Sequence, residues 1–142
     1  MNAYFETSAI VKHVMAEEGT EEAEALWDAS DVALTSRLSY SEARAALAAA
    51  RRAGRLSARS LEESKRALED RFSELDPVEL TVHIARSAGD LAEKHGLRGF
   101  DAVHLASALA IDGSGVTLVT WDRALARAGR AEGMALGGIT VG

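Results

Sequence analysis

Short apolar runs alternate with longer stretches of helical period along this chain, and the alternation sets the expected order of elements. "AYF", residues 3–5, predicts a buried strand. Ser8 is placed to cap a helix through "AIVKHVMAEEG", with Ile10, Val11, Val14 and Met15 on one face and Gly19 as its stop. "TEEAEALWDAS" opens on a threonine and two acids, which predicts a second helix with Thr20 as its cap. "DVALTS" predicts a second strand. Residues 37–53 predict an alanine-rich helix ended by Gly54, and Ser57 opens another that runs to about Leu75. The single proline, Pro77, closes that helical stretch, and "VELTV" predicts a short third strand. A helix over 82–95 ends at Gly96. "GFDAVHLASALAIDG" is apolar nearly all round, which predicts a helix buried on most sides, and "GSG" at 113–115 predicts a turn. "GVTLVTWD" predicts a fourth strand of the kind covered on both faces, followed by a helix from Arg123 to about Glu132 and a fifth strand within "MALGGITVG".

Strands alternating with helices predict an α/β layered fold with a largely parallel sheet, spanning residues 1–142 as one domain. Sites in such sheets form beyond the carboxyl ends of the strands. The residues directly after each strand are therefore the ones to inspect.

Composition narrows the chemistry. The chain has no cysteine, which excludes disulfides, thiolate metal sites and a cysteine nucleophile, and fits a reducing cytoplasm. The start "MNAYFETSAIVKHVM" lacks a basic beginning and carries Glu6 and Lys12 in its apolar run, so it does not read as a signal peptide, and no segment has the length of a membrane span. The net charge of −6 argues against a nucleic-acid partner when taken alone. Its distribution changes that: residues 44–71 hold eight basic against four acidic side chains. Thirteen of the sixteen basic residues are arginine, the side chain suited to forked contacts with phosphate.

Two acids stand where strands end, Glu6 after "AYF" and Asp122 after "GVTLVTW". Two more interrupt strongly apolar helices, Glu42 in "LSYSEARAALAAA" and Asp101 in "RGFDAVHLASALA". Each has an ordinary structural explanation: a strand terminus, a helix start, a first-turn acid, or a surface pair with Arg37 or Arg44. Together they converge at one edge of the predicted sheet. Crowded carboxylates repel and lose water, so a fold holds them together only with a cation. All-oxygen ligation suits Mg2+ or Mn2+ and supports displacement at phosphorus.

These residues resemble the PIN-domain ribonucleases, and among them the VapC-type toxins of bacterial toxin–antitoxin pairs. The resemblance covers essentially the whole chain and is strongest in "YFETSAIVK", "SEARAAL", "GFDAVHLASAL" and "LVTWDRALARA". It implies a three-layer fold with a short, largely parallel sheet flanked by helices. It also implies a catalytic, metal-holding quartet at Glu6, Glu42, Asp101 and Asp122, assisted by a hydroxyl at Ser8 or Thr7, with Thr120 a weaker candidate. The implied activity is metal-dependent endoribonuclease cleavage of single-stranded or loop RNA. The implied partners are RNA, a cognate antitoxin that blocks the site, and a second copy of the chain. The family usually has aspartate where this chain has Glu6, a side chain longer by about 1.5 Å.

Other classes fit less well. A catalytically weakened PIN-like module that binds RNA or protein is the alternative. A phosphoacceptor domain would need a lysine late in the chain, and the last is Lys94. The four histidines, at 13, 83, 95 and 104, show no ligand-like spacing and read as structural, with His104 also placed to contact the site from behind. Trp27 and Trp121 read as packing residues rather than base-stacking ones.

Overall fold

The computed structural model describes residues 1–111 and 115–142. The turn expected at "GSG" falls largely outside the described residues, and the helix expected through "AIDG" ends earlier, at Leu109, with Ala110 as its C-cap. The strands are β1 (Asn2–Phe5), β2 (Val32–Ser36), β3 (Asp76–Val78), β4 (Val116–Thr120) and β5 (Ala135–Gly138). They pair in the order β3-β2-β1-β4-β5, every pair parallel. The helices are α1 (Thr7–Val14), α2 (Thr20–Asp28), α3 (Leu38–Arg52), α4 (Ala58–Ser73), α5 (Val82–His95), α6 (Gly99–Leu109) and α7 (Arg123–Ala131).

The period-2 alternation of β1 divides the core. Tyr4 faces one cluster with Leu91, Leu105, Leu118 and Leu125, contributed by α5, α6, β4 and α7. Ala3 and Phe5 face the other, with Ile10, Leu47, Leu68 and Val119, from α1, α3, α4 and β4. Helices thus cover both faces of the sheet, so β1 and β4 are buried at nearly every position. The layered α/β expectation holds. So does the near-complete burial of the apolar helix, since Ala102 to Ala108 of α6 are all buried.

Several local expectations need correction. Ser8 does not cap α1. The helix begins directly after the strand, and Glu6 is the cap, its Oε2 accepting the Ser8 N–H at 3.1 Å. Thr20 does not cap α2 either: Gly19, at φ 91°, holds that place. Helix α1 ends at Val14, and the Thr20 hydroxyl instead ties the intervening turn, accepting from the Glu17 N–H and donating to the Lys12 carbonyl. The third strand is Asp76–Val78, not "VELTV", because Thr81 caps α5 through the Ile84 N–H. Pro77 lies inside β3, which is tolerable because β3 is an edge strand.

No helix among the described residues is long and apolar enough to cross a membrane.

A candidate active site at the carboxyl edge of the sheet

Strand β1 sits between β2 and β4, so the chain's connections leave in opposite directions on its two sides. A crevice opens at such a point. The β1–β4 register pairs Phe5 with Val119, and the Glu6 N–H donates to the Val119 carbonyl at 3.1 Å. Glu6 therefore emerges beside Thr120, with Asp122 two residues beyond. Helix α3 brings Glu42 to the same edge and the first turn of α6 brings Asp101. All four acids and Ser8 line one open cleft of about 380 Å³, together with Thr7, Glu17, Arg55 and Arg98.

Glu6 is only 6% exposed, so it is not a solvated strand end. Its Oε2 accepts the Ser8 N–H and hydroxyl and the Thr120 hydroxyl, the last at 2.8 Å. The two hydroxyls are themselves held, Ser8 Oγ accepting the Trp121 N–H at 2.9 Å and Thr120 Oγ1 the Asp122 N–H at 3.0 Å. Both hydroxyls thus belong to the first acid. Thr7 does not: it donates to Glu42 Oε1 at 2.7 Å.

Glu42 is fixed from behind by a chain of buried polar groups. Tyr4 and His104 are fully buried, the hydroxyl of Tyr4 lying 2.8 Å from His104 Nδ1, and His104 Nε2 lies 2.6 Å from Glu42 Oε1. The tautomer protonated on Nε2 satisfies both partners, with Tyr4 donating to Nδ1. Burial pushes the Glu42 carboxyl up, but the hydrogen bonds from His104 and Thr7, with the charge of Arg98, outweigh it and hold its pKa below the usual value. Burial, and secondarily the charge of Glu6, pushes the Tyr4 hydroxyl well above its usual pKa, so it remains a donor. Arg37 and Arg44 pair elsewhere, with Glu79 and Tyr40, so Glu42 is not a surface ion-pair residue.

Asp122 caps α7, its Oδ1 accepting the Leu125 N–H at 2.9 Å. Asp101 accepts from Arg98 Nε at 3.1 Å, and Arg98 Nη2 lies 3.9 Å from Asp122 Oδ2. Arg98, 84% exposed, bridges the two acids as a movable positive charge. It was not legible as a site residue, because an arginine before a helix reads as an ordinary surface cation. The arginine-rich run contributes less than its composition suggests. Arg55 alone among residues 44–71 of basic type lines the cleft, while Arg71 stacks on Trp27 and pairs with Glu24.

One pattern unites the acids. Among the described residues Glu6 Oε1, Glu42 Oε2 and Asp101 Oδ1 accept no hydrogen bond, and Asp122 Oδ2 meets only the distant Arg98. Each carboxylate engages one oxygen, with the scaffold at Glu6, Glu42 and Asp122 and with the exposed Arg98 at Asp101, and leaves the other free of any hydrogen bond among the described residues. No three acidic or histidine side chains among the described residues stand close enough to one point to hold an ion together as they are now placed. The donor set still fits a hard divalent cation, being entirely oxygen, and Arg98 supplies positive charge where such a cation would.

The sequence matches the PIN domain family over residues 3–131. It is 49% identical to ribonuclease VapC45 of Mycobacterium tuberculosis over 130 residues, 92% of this chain and 90% of that one. The fold resembles the crystal structure of FitAcB from Neisseria gonorrhoeae, with a TM-score of 0.67 at 16% identity over 96% of each chain. It also resembles a toxin–antitoxin complex from Klebsiella pneumoniae, with a TM-score of 0.62 at 18% identity, covering 85% of this chain and 87% of that one. A family match and a close relative that each span nearly the whole chain place it in the PIN-domain family, among the VapC-type toxins.

Proposed function

We propose that the chain is a metal-dependent endoribonuclease toxin that hydrolyses RNA phosphodiester bonds and is neutralised by a cognate antitoxin. The observation that carries this reading is the set of four carboxylates in one cleft, each with one oxygen uncommitted. Glu6, Glu42, Asp101 and Asp122 would hold Mg2+ or Mn2+. Such an ion, once bound, lowers the pKa of an attacking water and neutralises charge on the phosphate.

The chain's own residues prepare the site. Ser8 and Thr120 fix Glu6 Oε2, so the free oxygen of that carboxylate is presented in a defined direction. His104 and Thr7 do the same for Glu42 and keep it ionised. Asp122 is oriented by the first turn of α7. Arg98 offsets the repulsion between Asp101 and Asp122 while the cleft holds no other cation, and its exposure lets it swing aside. A basic side chain of an antitoxin could occupy the same acidic cleft, because its charge replaces a cation's. A homodimer is the assembly included in this proposal.

Cleavage of RNA by the purified chain should stop in excess chelator and return with Mg2+ or Mn2+. Cleavage undiminished in chelator would overturn the metal assignment, and no cleavage under any condition would favour a binding module.

A further inference from the structure

We propose that Phe100 and the cleft beside it form a base-binding subsite, where an unpaired nucleobase of the RNA stacks on the phenyl ring. This rests on the ribonuclease reading above. Phe100 is the second residue of α6 and is 62% exposed, although the following turns of that helix are buried. A single exposed apolar side chain is ordinary. The position of this one is not. Phe100 lines a cleft of about 340 Å³ with Glu42, Arg98, Gly99 and Asp101. Three of those residues, Glu42, Arg98 and Asp101, also line the acidic cleft. A ring resting on Phe100 is therefore a direct neighbour of Glu42 and Asp101, two of the four acids. The other large exposed apolar side chains among the described residues, Met1, Val32, Leu80, Val82 and Leu109, are aliphatic and line neither cleft.

The chemistry selects a base over other occupants. The acidic surroundings repel phosphate, whereas a nucleobase is neutral and has two apolar faces. Gly99 adds room, since nothing stands within 4 Å of where a Cβ would project. Arg98, 84% exposed beside the ring, can take the flanking phosphate or stack its guanidinium on the same base. Stacking on an aromatic tolerates any base but needs one that is out of a duplex. The subsite would therefore favour single-stranded or looped RNA and do little to choose its sequence.

The test compares the full chain with Phe100→Ala, Phe100→Leu and Phe100→Trp, in chelator so that nothing is cut. Fluorescence anisotropy reads binding of a short labelled single-stranded RNA, of its abasic counterpart and of a duplex. Thermal midpoints check that the variants fold, and light scattering gives their oligomeric state. We expect Phe100→Ala to weaken single-strand binding roughly tenfold or more. Phe100→Leu should follow it, Phe100→Trp should bind at least as well as the native chain, and the abasic RNA should show no difference. Single-strand binding by Phe100→Ala equal to the native chain's would overturn the proposal while leaving the nuclease reading in place. So would an equal loss on abasic RNA, or a changed oligomeric state with RNA binding intact, which would make Phe100 a protein contact. A native chain that neither binds nor cuts RNA would instead remove the ribonuclease reading and the subsite with it.

Discussion

At Glu6 one carboxylate oxygen is committed to structure and the other is not. Oε2 caps α1 and receives two hydroxyls, so this acid is part of the scaffold as well as of the proposed site. Asp101 differs, because its partner is the exposed Arg98 and no helix N–H depends on it among the described residues. The two acids should separate in a stability measurement. Glu6→Ala removes a cap and leaves buried donors unpaired, and should cost about 2 kcal/mol in urea denaturation in chelator. Asp101→Asn loses a solvent-screened pair and relieves carboxylate crowding, so it should stay within about 0.5 kcal/mol of the native chain while abolishing cleavage. Equal destabilisation by both would make Asp101 a structural residue.

At the scale of elements, the site depends on how β5 closes against β4. Gly138 ends β5 at φ 95°, and a Cβ there would stand 2.3 Å from the Thr120 carbonyl oxygen. That carbonyl also accepts the Ile139 N–H at 2.9 Å, and the same residue's hydroxyl holds Glu6. Backbone cannot yield as a flexible side chain can, and a positive φ strains any L-residue. Gly138→Ala should therefore destabilise the fold by about 2 kcal/mol or more and loosen Thr120 from Glu6. Denaturant unfolding checks the first effect. The second should appear as weaker Mn2+ binding by calorimetry in the fraction that remains folded. An unchanged midpoint would show that β5 can shift without cost.

For the whole molecule the relevant quantity is charge. The chain carries −6 overall and gathers five acids against two arginines around one cleft. A cation that binds the folded chain alone raises stability by mass action, about 2.7 kcal/mol at a hundred times its Kd. Mg2+ or Mn2+ should raise the melting temperature above that seen in chelator. Asp101→Asn combined with Asp122→Asn should remove most of the rise. Sodium chloride at matched ionic strength reports screening alone. A rise no larger than sodium chloride produces would mean that the cleft has no specific ion site.

The sequence by itself determined the layered α/β architecture, because an apolar run such as "GVTLVTW" needs cover on both faces and only parallel strands with crossover helices supply it. It also singled out the four acids, since a carboxylate at a strand end or in an apolar helix costs desolvation and stands out against its neighbours. Tertiary structure decided the rest. That Ser8 and Thr120 serve Glu6 while Thr7 serves Glu42 follows from strand register and helix placement, which local patterns do not encode. Glu6 could be seen to end a strand, but not to cap the next helix, because its long side chain folds back only in the assembled edge. The bridge of Arg98 to Asp101 and Asp122, and the exposure of Phe100 beside Arg98 and Asp101, arise where the start of α6 meets the start of α7. Residues far apart in the chain meet there, and their contacts exist only once the core has set the distances between elements.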